Sequence, residues 1–146
     1  MHRLLATTLA LSLTTGCVVY SDDHHHDHDE VIVVEEPSNY APVIGFAEAG
    51  CYWDSYNGDF IWYFDTEVWD TEDWVTGVYA DVYDAQGQMI DSFELYNETS
   101  DPDIWFSDWL QYSTYLDCYY GGYVVDIWAY DAYEQAEVIS IYPYTY

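Results

Sequence analysis

After Arg3 the chain contains no lysine and no arginine, and after His28 it contains no histidine. Each absence removes a class of function. A nucleic-acid binder replaces phosphate counterions with basic side chains, and none exist here. Nucleotide sites that clamp phosphate with a cation, and polybasic attachment to anionic lipid, are excluded for the same reason. No lysine is present as a Schiff base or general base. Without histidine beyond residue 28, Ser–His–Asp and Cys–His arrangements cannot be assembled in the folded part of the chain. A pair of carboxylates, one raised in pKa by an apolar pocket, is the remaining acid–base device, and nothing in the sequence singles out such a pair. The expectation is therefore a protein that is not an enzyme.

What is present is acid and aromatic. Residues 17–146 carry all 28 Asp and Glu and no Lys or Arg, a formal charge of −28. The chain also has 7 Trp, 18 Tyr and 5 Phe, and 51% of its residues are hydrophobic. Acidic disordered tails are poor in aromatics and β-branched residues, so this composition belongs to a folded domain. Its length allows one domain of roughly 100 residues with a modest core.

The first residues have the form of a secretory signal peptide. Arg3 is followed by an apolar run from Leu4 to Leu13, then small residues. The run is too short to span a bilayer, which takes about 20 residues. The stretch Thr14-Thr15-Gly16-Cys17 resembles the lipobox of bacterial lipoproteins, in which small residues precede a cysteine that becomes the lipidated N-terminus. The resemblance covers residues 1–17 and implies a signal peptide at 1–16 and acyl chains, palmitate-like, on Cys17. Several chains together anchor stably where one is marginal. Val18, rather than Asp, follows the cysteine, which by the same resemblance implies the outer membrane of a bacterial cell envelope.

Residues 17–41 read as a lipidated, acidic, His/Asp-rich tether. Ser21 to Glu30 is wholly polar, and Glu35-Glu36-Pro37-Ser38-Asn39 returns to linker chemistry after Val31 to Val34. The domain is expected at 42–146. Apolar or alternating runs at Val43–Ala49, Phe60–Trp69, Thr76–Tyr83, Met89–Tyr96, Tyr112–Tyr119, Tyr123–Tyr130 and Ala136–Tyr142 predict an all-β fold. Phe60, Trp62, Phe64 and Val68 share a face, as do Val78, Ala80 and Val82, Phe93 and Leu95, and Tyr123, Val125, Ile127 and Ala129. Asp84 to Gln88 reads as a hairpin loop with Gly87 at positive φ. Ser100-Asp101-Pro102-Asp103 supplies a cap, a first-turn proline and an acid, which predicts one short helix near 102–110 with Trp105 and Trp109 a turn apart. The strand spacing resembles an immunoglobulin-like or fibronectin-type β-sandwich at class level.

Cys51 and Cys118 remain after Cys17, and an even pair in an exported chain predicts a disulfide. Cys51 is expected just after the first strand. In the tether, His24, His25, His26 and His28 among aspartates form a candidate Zn²⁺ or Ni²⁺ site, against the alternative of a solvated spacer. In the domain, Asp65 and Glu67 with Asp70, Glu72 and Asp73 form a repeat that could offer oxygen ligands to Ca²⁺, against the alternative of a solvated acidic face. The aromatics exceed what one small core holds. Trp69, Trp74, Trp105 and Trp109 are the candidate surface binders, because they sit beside turns or acids.

The combined expectation is a lipid-anchored, non-enzymatic envelope or surface module with an interaction or structural role. The alternative is a carbohydrate-binding or Ca²⁺-dependent adhesive module. Expected partners are the membrane, through the acyl anchor, and an envelope protein or a glycan, with no nucleic acid and no nucleotide. Because the charge is all of one sign, salt screens repulsion and weakens no ion pair. The melting temperature should rise between low and moderate NaCl, and a fall would contradict this account of the charge.

Overall fold

The computed structural model describes residues 39–146. The expected signal peptide, the expected lipidation site at Cys17 and the candidate metal ligands His24, His25, His26 and His28 lie outside the described residues. The described chain is all-β. Its strands are β1 (Val43–Asp54), β2 (Asp59–Trp69), β3 (Val75–Tyr83), β4 (Met89–Asn97), β5 (Ile104–Leu110), β6 (Val124–Asp131) and β7 (Ala136–Ile141). They form one seven-stranded antiparallel sheet in the order β1-β2-β5-β4-β3-β6-β7. The sheet is curled. The tail after β7 returns to β1, where Cys51 N–H donates to the Tyr144 carbonyl and Tyr144 N–H donates to the Ala49 carbonyl.

The alternating runs set the burial. Phe60, Trp62, Phe64, Thr66 and Val68 of β2 are buried in strict period two. Val125, Ile127, Ala129 and Asp131 of β6 repeat the pattern, and Val78, Ala80 and Val82 of β3 join them. Curling brings these rows together: Trp62 meets Tyr123 edge-on at 5.8 Å, and Phe64 stacks on Phe93 at 4.8 Å. Such aromatic pairs add about 1 kcal/mol each beyond the area they bury. The Tyr123 hydroxyl is also fixed, accepting the Asp117 N–H at 3.0 Å.

Three local expectations are corrected. Residues 104–110 form β5 rather than a helix. A spacing of four suits one helical turn and two strand repeats alike, and Ser107, buried between Trp105 and Trp109, reveals the period of two. The Asp101 side chain accepts the Asp103 N–H, so the presumed cap closes a turn instead. The expected strand at 112–119 is a 3₁₀ turn, Gln111–Ser113, followed by an irregular connection. There Thr114 Oγ1 accepts the Leu116 N–H and Gln111 Oε1 accepts the Cys118 N–H, taking donors that a strand ladder would need. Cys51 lies inside β1, which runs five residues past the expected end at Ala49.

Cys51 and Cys118 are joined in a disulfide, with Cα atoms 6.0 Å apart. It ties β1 to the β5–β6 connection across a sequence separation of 67. A loop of that length is worth about 4 kcal/mol in the chain-entropy model. Reduction, or the Cys51→Ala/Cys118→Ala double variant, should therefore lower unfolding stability by several kcal/mol in urea titration, with the native fluorescence spectrum retained at zero urea.

Candidate functional site

The end of β2 and its neighbours build a cleft of about 330 Å³. Its aromatic walls come from Trp69, closing β2, Trp74, in the turn before β3, and Trp105, near the start of β5. Asp70, Asp73, Asn97 and Asp103 supply its polar lining. Three of the four tryptophans expected at the surface thus share one site. Trp74 is 68% exposed, whereas Trp69 and Trp105 are half-buried. The fourth, Trp109, does not belong to the cleft: its ring packs on Phe93 at 5.7 Å and its indole N–H donates to Ser107. Its spacing from Trp105 places both on the core-facing side of β5.

The cleft is held by backbone and side-chain hydrogen bonds. Asp70 Oδ1 accepts the N–H groups of Glu72 and Asp73, each at 2.9 Å, which closes the turn carrying Trp74. Opposite it, Asn97 Nδ2 donates to the Pro102 carbonyl, and Val68 N–H donates to the Asp103 carbonyl at 2.7 Å. Trp69 is seated by a bulge in β1. The β1–β2 register slips between Ile44 and Phe46, and the indole lies so close to the intervening Gly45 that a Cβ there would collide with its ring.

Two side-chain atoms of this site have no hydrogen-bond partner among the described residues. Asp70 Oδ2 and Trp105 Nε1 are both buried, one able only to accept and the other only to donate. Leaving such atoms unpaired is costly, about 1–3 kcal/mol each.

The candidate calcium residues do not converge. Asp65 and Glu67 lie on β2, while Asp70, Glu72 and Asp73 occupy the turn. Among the described residues, no group of three or more His, Cys, Asp or Glu side chains is placed to hold a metal ion. Asp65 instead joins an acidic row on the outer sheet face. Glu48 of β1 lies directly across from it, and Asp108 of β5 sits nearby opposite Tyr63. Burial, then the charges of Glu48 and Glu98, raise the Asp65 carboxyl above its ordinary value. Burial, then Asp65, raise Asp108. Tyr63 donates to Glu48 at 2.7 Å, and burial with that bond pushes its hydroxyl pKa up.

A second aromatic group lies at the other end of β2. Phe60 meets Trp53 edge-on at 5.2 Å and Tyr146 at 5.0 Å, with Tyr119 beside them. Trp53 is 51% exposed although it sits within a strand. It also adjoins an acidic turn, Asp54 to Asp59, yet is not among the expected surface tryptophans. Its place two residues after the buried Cys51, at the β1–β2 hairpin end, is what exposes it.

No family model, no curated protein and no solved structure matches this chain.

The carboxyl shifts have a definite pH sign. Asp65 and Asp108 are raised in the fold, so their contribution is full below the unfolded Asp value of about 3.9 and is lost as pH rises through the folded values. Asp54 and Asp131 go the other way. Asp54 is lowered chiefly by the Tyr56 N–H, with Asn57 adding to it. At Asp131 burial opposes ionisation, but the Asn39 amide and the Gln135 and Tyr133 N–H groups outweigh it. Their stabilisation is present above about pH 4 and is lost as pH falls through their lowered values. Thermal melts should show higher stability at pH 5 than at pH 7. Asp65→Asn with Asp108→Asn should raise the melting temperature at pH 7 and flatten that difference.

Proposed function

We propose that this protein is a lipid-anchored, non-enzymatic module of a bacterial cell envelope, held at the outer membrane through Cys17, that binds an envelope component through the tryptophan cleft. The observation that carries the binding role is the convergence of Trp69, Trp74 and Trp105 on one acidic cleft, with Trp74 left 68% exposed. An exposed aromatic set beside half-buried ones in a concave, hydrogen-bonded frame is typical of binding surfaces. The anchor rests on the lipobox-like Thr14-Thr15-Gly16-Cys17 and the apolar run before it.

The domain that presents the cleft is read as an immunoglobulin-like β-sandwich. The strand order supports this: divided between β4 and β3, it gives β1-β2-β5-β4 and β3-β6-β7, the order of the two immunoglobulin sheets. β4 pairs with β3 along most of its length and with β5 only through Tyr96 and Asn97, as a strand does when it switches sheets. Tyr123, just before β6, bonds back to Asp117 in the manner of the tyrosine corner of such domains. The disulfide departs from the antibody pattern, since it starts from β1.

One experiment tests both halves. The Cys17→Ala chain should lose the lipid mass and leave the outer-membrane fraction; unchanged mass and location would refute the anchor. The released chain should still bind isolated envelopes, and adding Trp74→Ala and Trp105→Ala should abolish that binding. Undiminished binding by the triple variant would refute the cleft as the binding site.

A further inference from the structure

We infer that the tryptophan cleft receives a positively charged side chain, an arginine guanidinium above all, from a basic segment of a partner protein; this rests on the cleft being the binding site. The ring faces of tryptophan carry negative partial charge and attract a cation laid over them, and Trp74 offers the most exposed face of the site. Around it stand Asp70, Asp73 and Asp103, and residues 39–146 contain no Lys, Arg or His to neutralise them. An anionic ligand would meet only repulsion there, and a purely apolar one would leave the carboxylates desolvated.

The carboxylates narrow the choice. A guanidinium is planar and carries five N–H donors, so it can lie over the Trp74 ring and still donate to a carboxylate of the lining. Asp70 is held in place by the Glu72 and Asp73 N–H groups, which its Oδ1 accepts. The cavity, about 330 Å³, is at the small end of ligand sites and suits one long side chain. The surrounding field acts in the same direction: an acidic surface steers cationic partners and speeds their encounter.

The test titrates the full chain with a blocked peptide carrying two arginines, read by tryptophan fluorescence and calorimetry at low and moderate salt. The control peptide replaces arginine with citrulline, which keeps the shape and removes the charge. The arginine peptide should bind about tenfold or more tightly than the citrulline peptide, and salt should weaken it. Trp74→Ala, at an exposed position, should cost about tenfold, and Asp70→Asn, which keeps the turn bonds through its own Oδ1, should cost about as much. Asp81→Asn with Asp126→Asn removes two charges from residues that do not line the cleft, and it should leave the affinity close to that of the parent. Equal affinity for the two peptides, or an equal loss in the Asp81/Asp126 variant and in Asp70→Asn, would overturn the inference. A neutral oligosaccharide that binds in a Trp74-dependent way while the arginine peptide does not would overturn it too, yet leave the cleft standing as the binding site. Envelope binding that survives Trp74→Ala with Trp105→Ala would remove the cleft itself.

Discussion

A carboxylate inside or against a fold must find either a cation or a hydrogen-bond donor, and residues 39–146 offer no cation. Every local solution in this domain follows from that constraint. Backbone N–H groups take the place of lysine and arginine. Asp54, Asp70, Asp84 and Asp131 each accept at least two of them, and each thereby closes a turn between strands. Hydroxyls do the rest on the sheet faces. Ser92 donates to Asp81, Ser140 to Asp126 and Tyr63 to Glu48. The turns that organise the fold are thus also the places where negative charge is stored.

The same constraint shapes the surface. Like charges lie directly across strands at Glu48 and Asp65 and again at Asp81 and Asp126, pairings that most sheets avoid or neutralise with lysine. The cost is repulsion and raised carboxyl pKa values on the outer faces. The gain is solubility for a domain whose exposed surface carries Tyr56, Tyr112, Tyr115 and Tyr142 almost fully open to water. Aromatic rings next to uncompensated carboxylates also define what the surface can recognise. Such a combination is chemically mismatched to anions and matched to a cation that brings its own donors.

The strand cores were legible because burial in a curled sheet reads out a period of two. Trp62, Phe64, Val78, Val82, Val125 and Ile127 occupy the buried face that their alternation assigned to them. The hairpin loop at Asp84 to Gln88 was legible too, since Gly87 takes the positive φ its turn requires. β5 was not. Its two tryptophans four apart satisfy a helix and a strand equally, and only pairing with β2 on one side and β4 on the other decides between them. The connection at 111–123 failed for a related reason: Tyr-rich alternation imitates a strand, but local side-chain acceptors capture its N–H groups first.

The amino-acid sequence alone determined the sign of the surface, the absence of ion pairs in the folded region, the all-β class and the cysteines that pair, because these depend on which residues exist and on short periodicities. Tertiary structure decided which tryptophans share a site. Trp69, Trp74 and Trp105 come from the end of one strand, a turn and the start of another, whereas Trp109, only four residues from Trp105 and on the same face of β5, packs on Phe93 instead. The reason is register. A side chain's face is fixed by which partner strand its backbone bonds to, and Gly45, by letting β1 bulge beneath Trp69, sets a position that no local pattern around Trp69 encodes.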